Sequence, residues 1–225
     1  MTLRVMVVLR GARRGEQKGI LVTMAPSELD RICRVAKEWS VDLTSETAAR
    51  LGHFCAILLE WNQRVNLTGA RSLDDLLMNH LPDSFIAARF IANGALVVDI
   101  GSGGGLPSIP FAILRPDCKL TLVEPRGRRV AFLNTAVRTC GCGHASVIQC
   151  RSEVLARGSY EVAMSRATFE PGTWLEVGRE LVKDGGRVIA FSTTEVACEG
   201  MRLADSVGYH VGRDAARWAG LFVRT

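Results

Sequence analysis

The chain has 225 residues, of which 48% are hydrophobic and 23% are charged. This balance is typical of a folded protein with one α/β domain and a helical addition, and it excludes a disordered chain. No apolar run approaches the roughly 18 residues that a membrane-spanning helix needs, so we expect no membrane partner. The formal net charge is +5, but the first 23 residues carry five basic side chains and one acidic one. Binding to nucleic acid would therefore need a local basic patch rather than an overall excess of positive charge.

Two features of the chain bear on its organisation and its compartment. Residues 1–23 lack a clean periodicity, and we predict that they form a flexible basic extension. The seven cysteines are scattered, and only Cys140 and Cys142 lie close together, with no second pair beside them. This spacing predicts reduced thiols in a cytoplasmic protein and no metal site.

The segment from residue 24 to residue 93 is predicted to be a helical cap. Apolar residues recur at helical spacing in three segments. The first begins at Ser27, the second runs from Leu51 to Trp61, and the third runs from Ser72 to Pro82. Ser72 can cap the third helix because its hydroxyl can accept a backbone N–H one turn later, near Asp75.

A glycine-rich turn follows the cap. Residues 95–100 form an apolar run that predicts a buried strand, and four of the next five residues are glycine. Backbone N–H groups in such a turn can approach a ligand closely. Asp99 stands just before the turn and no Gly-Lys-Ser/Thr ending follows, so a phosphate loop is disfavoured. We expect a cationic or hydroxyl-bearing ligand here, held by Asp99, Gly101 and Gly103.

After the turn, strands and helices alternate over residues 94–225, which we predict to be the core that forms one unit with the cap. Strands are predicted at 119–124, 146–150, 162–165 and 187–191, and helices at 108–115, 127–140, 172–182 and 195–207. Alternation of this kind predicts a mostly parallel sheet with helices on both faces. Residues 208–212 and 217–223 lie so close together that they predict an antiparallel hairpin. An α/β sheet that ends this way is typical of the Rossmann-like class I S-adenosylmethionine-dependent methyltransferase fold.

Glu124 ends the second predicted strand. An acid at this position hydrogen-bonds the ribose hydroxyls of a nucleoside cofactor, which can be NAD or S-adenosylmethionine. The close spacing of the glycines and the late hairpin favour S-adenosylmethionine. An oxidoreductase is disfavoured because neither Tyr160 nor Tyr209 begins a Tyr-x-x-x-Lys pair.

Five separated motifs occur in an order that resembles the bacterial 16S rRNA (guanine-N7) methyltransferase family, also called glucose-inhibited division protein B. The motifs are Trp61-Asn62-x-x-Val65-Asn66-Leu67-Thr68, His80-x-x-Asp83-Ser84, the glycine turn from Asp99 to Pro110, Arg128-Arg129-Val130-Ala131-Phe132-Leu133, and Ser165-Arg166-Ala167. The resemblance implies a cytoplasmic enzyme that transfers the methyl group of S-adenosylmethionine to N7 of a guanine in 16S rRNA. Its partner would be 16S rRNA or the small ribosomal subunit.

The resemblance also implies roles for individual residues. Gly101 and Leu106 would line the cofactor, Ser152 and Glu153 would lie on its adenine side, and Arg166 would face its reactive end as the catalytic residue. Ser108 stands where the family commonly has glycine. We assign a further set of residues to the substrate or RNA: Asn66, Thr68, His80, Asp83, Ser84, Arg126, Arg128 and Arg129.

Several alternatives stay open at this point. His80 could be a satisfied buried histidine, Asp83 and Ser84 could cap a helix, and the arginines could form a solvated face. The protein could also be an S-adenosylmethionine-dependent methyltransferase that acts on a small molecule or a protein. A third possibility is a ribosome-associated protein without catalytic activity.

Overall fold

The computed structural model describes residues 24–225, and the predicted basic extension at 1–23 lies outside the described residues. Within these residues, four helices precede the first strand: α1 Pro26–Glu38, α2 Ser45–Asn62, α3 Leu73–Asn79 and α4 Leu81–Phe90. Strands and helices then alternate: β1 Leu96–Ile100, α5 Ser108–Leu114, β2 Lys119–Val123, α6 Gly127–Thr139, β3 Ala145–Ile148, a 3-10 turn Ser152–Val154, β4 Tyr160–Ser165 and α7 Pro171–Leu181. Three strands complete the chain: β5 Val182–Ser192, β6 Met201–Val211 and β7 Ala215–Arg224.

The seven strands found within residues 24–225 form one sheet in the order β3-β2-β1-β4-β5-β7-β6. The first five of these strands pair in parallel, and β7 pairs antiparallel with both β5 and β6. The predicted α/β fold with a mostly parallel sheet and an antiparallel end is therefore confirmed. The chain leaves β1 towards β2 on one side and returns to β4 on the other. The crevice at the carboxyl ends of β1 and β4 is consequently the topological switch point, where open α/β sheets bind their ligands.

Hydrophobic cores cover both faces of the sheet. Val97 and Val98 are both fully buried but belong to different cores, because successive side chains of a strand point to opposite faces. One core joins Phe54 and Phe85 of the helices before β1 to Phe111 of α5, so these helices share a hydrophobic core with the sheet. The other core lies against α7. The division of the chain at residue 93 stays a prediction.

Two predicted elements differ from the structure. The third predicted helix is in fact two helices, α3 and α4. Pro82 lies in the first turn of α4 instead of ending α3. Proline is tolerated there because the first N–H groups of a helix have no partner within the helix. The helix predicted at 195–207 is wrong, because most of this segment is β6. Its backbone pairs with β7 from Met201 opposite Arg224 to Val211 opposite Ala215. Gly200, with φ at +74°, turns the chain into this ladder.

No helix within residues 24–225 combines the length and the apolar character needed to cross a lipid bilayer.

Candidate active site

The glycine turn lies at the carboxyl end of β1 and is anchored to β2. The N–H groups of Gly101 and Ser102 donate to the carbonyl oxygen of Val123 over 2.8 and 3.1 Å. The Ser102 hydroxyl donates to the carbonyl oxygen of Asp99 over 3.1 Å. Gly101 and Gly103 have φ values of +72° and +51°, which L side chains rarely adopt. The turn therefore needs glycine for its backbone conformation.

The same turn is packed between two other segments of the chain. A Cβ atom added at Gly101 would lie 2.3 Å from Oγ1 of Thr168, which follows β4. A Cβ atom added at Gly104 would lie 2.9 Å from the carbonyl oxygen of Leu67, in the loop after α2. Glycine is thus also required because both neighbours approach the backbone closely.

Glu124 faces the turn from the end of β2 and is only 2% exposed. Its two carboxylate oxygens accept the N–H groups of Gly103 and Arg126, each over 3.0 Å. Nη1 of Arg129 lies 3.9 Å from Oε2 of Glu124. Because each carboxylate oxygen has two lone pairs, both oxygens retain capacity to accept a hydroxyl of a ligand.

Asp99 is a second carboxylate buried beside the turn, at 1% exposure. It accepts the Ser108 hydroxyl over 2.5 Å. Burial raises the pKa of Asp99 to about 6, and the hydrogen bonds from Ser108 and Ser102 oppose that rise. Glu124 raises this pKa further by charge repulsion. A cationic ligand would offset the electrostatic repulsion between the two buried carboxylates. Because the Glu124 oxygens can also accept hydroxyl groups, this donor set fits a cation that carries hydroxyl groups.

Asn62 organises the loop that reaches the turn from the helical side. Its side-chain oxygen accepts the N–H groups of Leu67 and Thr68 over 2.8 and 3.0 Å. Its side-chain nitrogen donates to the carbonyl oxygens of Thr68 and Ala70 over 2.8 and 3.1 Å. Arg129 completes the connection by donating to the carbonyl oxygen of Asn66 over 3.3 Å. The predicted residues Asn66 and Thr68 thus lie in a loop that is fixed against the glycine turn.

Arg166, at the end of β4, belongs to a group that we call the Asp83 cluster: His80, Asp83, Arg166, Tyr209 and Arg217. The Asp83 carboxylate, 1% exposed, accepts Arg166 over 2.8 Å, the Tyr209 hydroxyl over 2.6 Å and Arg217 over 3.2 Å. Nη2 of Arg166 lies 3.2 Å from Nδ1 of His80. Burial and the Arg166 charge lower the pKa of His80 to about 4, so the imidazole is neutral at pH 7. Burial and the Asp83 charge raise the pKa of Tyr209 above its usual value.

Burial changes the interpretation of two predicted RNA residues. Asp83 and Ser84 are almost fully buried inside α4, and neither caps that helix. The alternative that they act as helix caps is therefore wrong. Direct contact with RNA does not fit their burial. Within residues 24–225, the Ser84 hydroxyl has no hydrogen-bond partner.

The remaining predicted residues lie around the same edge of the sheet in different surroundings. Leu106 is packed into the core at 7% exposure. Ser152 and Glu153 form the 3-10 turn after β3, where the Ser152 hydroxyl donates to Glu153 over 3.3 Å. Arg126 and Arg128 are exposed at the start of α6. Among the described residues, no group of three or more His, Cys, Asp or Glu is arranged to hold a metal ion.

Sequence reasoning did not assign a role to four residues that shape the site: Asn62, Thr168, Tyr209 and Arg217. Asn62 stands within a motif that carries the family resemblance, but the motif alone does not indicate that its side chain organises the loop. Thr168 follows the Ser165-Arg166-Ala167 motif directly. Tyr209 and Arg217 lie over 120 residues from Asp83 along the chain, with separations of 126 and 134 residues. No local pattern indicates contacts over such separations.

Sequence comparisons find relatives of this chain among known proteins. Residues 47–210 match the family model described as GidB, rRNA small subunit methyltransferase G. Ribosomal RNA small subunit methyltransferase G of Roseiflexus castenholzii is 30% identical, with 88% of each chain covered. The protein of the same name from Xanthomonas axonopodis pv. citri is 38% identical over 66% of this chain and 70% of its own.

Solved structures show the fold. An S-adenosylmethionine-dependent methyltransferase from Aquifex aeolicus is 16% identical with a TM-score of 0.52, covering 75% of this chain and 98% of its own. A mutant of MtNAS in complex with S-adenosylmethionine is 18% identical with a TM-score of 0.53, covering 87% and 89%. From the family match over residues 47–210 and the shared architecture, the chain belongs to the GidB family of rRNA small subunit methyltransferases.

Proposed function

We propose that the protein transfers the methyl group of S-adenosylmethionine to N7 of a guanine in 16S rRNA of the small ribosomal subunit, in the cytoplasm. The observation that carries this proposal is the pair of buried carboxylates, Asp99 and Glu124, on either side of a glycine turn at the switch point of the sheet. Membership of the rRNA methyltransferase family supports the choice of RNA as the substrate.

The residues at the turn suit the proposed cofactor. Glu124 would accept the ribose hydroxyls, because its carboxylate faces the turn and keeps lone pairs beyond those used by Gly103 and Arg126. Asp99 would face the positively charged part of the cofactor. The backbone of Gly101 and Gly103 and the side chain of Leu106 would line it. Ser152 and Glu153, in the 3-10 turn that follows β3, would lie on the adenine side of the cofactor.

The proposed methyl transfer needs little help from acidic or basic side chains. Bound S-adenosylmethionine supplies an electrophilic methyl group on a positively charged sulfur. Guanine N7 has an in-plane lone pair and no proton, so the protein needs no general base. This agrees with a neutral His80 and with an Asp83 that is bonded to protein donors. The task of the protein is then orientation, with the reacting atoms held in line at about 3–3.5 Å.

We propose that Arg166 orients the substrate. Its side chain is 18% exposed at the carboxyl end of β4, next to the switch point. A guanidinium can donate to the O6 edge of guanine beside N7, or to a phosphate. We assign it this role.

Binding to the RNA backbone would involve the arginines at the start of α6. Arg126 and Arg128 are exposed, and Arg129 lies between Glu124 and the Asn66 loop. Such contacts release counterions from the RNA, so they make binding weaken with salt. Asn66 and Thr68 would lie at the mouth of the site.

The test is transfer of radiolabelled methyl from S-adenosylmethionine to small subunits from a strain that lacks this gene. We expect incorporation into 16S rRNA with the wild-type protein and a large loss with Arg166→Ala. The matched control is Arg157→Ala, since Arg157 is 82% exposed before the start of β4, away from the carboxyl edge. Cofactor binding without incorporation would contradict RNA as the substrate. Label in proteins or small molecules would point to a different methyltransferase.

A further inference from the structure

We propose that Asp83 is a positioning residue, which fixes the guanidinium of Arg166 in the orientation needed for methyl transfer instead of contacting RNA itself. This inference rests on the proposed function. It follows from the way that α4, β4 and the hairpin of β6 and β7 meet around one carboxylate.

The Asp83 carboxylate is fully engaged by protein donors. Oδ1 accepts the Tyr209 hydroxyl over 2.6 Å and Arg217 over 3.4 Å. Oδ2 accepts Arg166 over 2.8 Å and Arg217 over 3.2 Å. With 1% of the residue exposed, no face of the carboxylate is presented to a substrate. Its influence on the reaction must therefore pass through its partners.

Arg166 is held at two points of its planar guanidinium. Nη1 donates to Asp83 and Nη2 lies 3.2 Å from Nδ1 of His80. Two contacts on one rigid plane fix both its position and its rotation, and the contact to a carboxylate is of the stronger, charge-assisted kind. A neutral His80 can accept this N–H, whereas a protonated one could not.

The charges explain why a carboxylate is needed at this position. Arg166 and Arg217 both lie within hydrogen-bond distance of Asp83, and their side chains are 18% and 29% exposed. Two guanidinium groups so close together would repel each other without the carboxylate between them. His80 adds no positive charge at pH 7. Without Asp83, we therefore expect Arg166 to move away from Arg217 and lose its orientation.

The arrangement gives the helices before β1 a part in the reaction that acts through Arg166. Asp83 comes from α4, Arg166 follows β4, and Tyr209 and Arg217 come from β6 and β7. The carboxylate thus joins three parts of the chain at the edge of the switch-point crevice. Among the described residues, Asp83 is the only aspartate or glutamate that forms an ion pair with Arg166, so the charge-assisted one of its two contacts depends on this acid.

A double-mutant cycle tests the inference. The kcat for methyl transfer to small subunits is measured for wild type, Asp83→Asn, Arg166→Ala and the combination of both. We expect Asp83→Asn to lower kcat about 10- to 100-fold, since loss of a charge-assisted contact is worth about one to two factors of ten. In the Arg166→Ala background, Asp83→Asn should cause no further loss. A merely structural role would instead give losses that multiply.

Controls separate orientation from folding. Thermal unfolding and calorimetry with S-adenosylmethionine verify that each variant folds and binds the cofactor. If Asp83→Asn does not fold, Asp83→Asn with Arg217→Gln removes one charge of each sign and serves in its place. Asp117→Asn removes another arginine-paired carboxylate, near the start of β2, and should leave kcat unchanged.

The outcomes distinguish the two proposals. An unchanged kcat in Asp83→Asn, or losses that multiply with those of Arg166→Ala, would overturn the positioning role and leave the proposed function intact. A wild-type protein that binds S-adenosylmethionine but does not methylate the subunits would overturn both.

Discussion

Replacing Asp99 with asparagine should remove a pH-dependent loss in the free energy of unfolding, which arises because the ionised carboxylate is buried in the folded state. Burial raises the pKa of Asp99 to about 6, whereas an aspartate in the unfolded chain titrates near 3.8. Between these values the folded protein binds the proton more tightly than the unfolded chain. The stability that Asp99 contributes is therefore fully present below about pH 4 and is lost as the pH rises through about 6. At about 1.4 kcal/mol for each pKa unit, the cost at neutral pH is about 3 kcal/mol.

Urea unfolding of the cofactor-free protein measures this cost. The free energy of unfolding of Asp99→Asn should rise relative to that of wild type by about 3 kcal/mol between about pH 4 and about pH 7. Asparagine still accepts the Ser108 hydroxyl, so packing changes little. The control Asp117→Asn should change little relative to wild type over this range, because the contact with Arg115 lowers the pKa of Asp117 and its contribution to stability is lost only below about pH 4. A difference between Asp99→Asn and wild type that does not vary with pH would show that the pKa of Asp99 is not raised in the folded protein.

Three further substitutions test the loops around the turn and the RNA surface. Gly104→Ala places a methyl group 2.9 Å from a backbone oxygen and should destabilise the fold by about 1–3 kcal/mol in urea unfolding, whereas Gly69→Ala, with nothing within 4 Å, should be neutral. Asn62→Ala breaks four hydrogen bonds and should cost about 2–4 kcal/mol in the same assay; Asn134→Ala, on the exposed side of α6, should change stability by less than about 0.5 kcal/mol. Arg128→Ala should reduce the salt dependence of RNA binding by about one unit of logarithmic slope, measured by filter binding over a range of salt concentrations. An unchanged slope would show that Arg128 is only a solvated charge.

The sequence predicts those parts of the fold that depend on local patterns. The apolar run before Gly101, the acid at Glu124 and the regular alternation of strands and helices each reflect interactions within a short segment. Their positions at the carboxyl edge of the sheet follow from the parallel topology. For the same reason, Asp99, Glu124 and Arg166 could be predicted to converge.

Contacts between distant segments could not be predicted from the same patterns. The segment at 195–207 has too few buried side chains to show a period, and its pairing with β7 decides that it is a strand. Asp83 was predicted to contact RNA because its motif resembles the family, but the motif does not say which way the side chain points. Only the packing of α4 against Tyr209 and Arg217 shows that it is buried.

The most direct test of the account is to map the methylated position in the RNA. Small subunits lacking the modification are treated with the protein and S-adenosylmethionine, and the 16S rRNA is then reduced and cleaved with aniline at N7-methylguanine. We expect one new cleavage with the wild-type protein and a much weaker one with Arg166→Ala. Incorporation of methyl groups into the RNA without any aniline-sensitive site would contradict transfer to guanine N7.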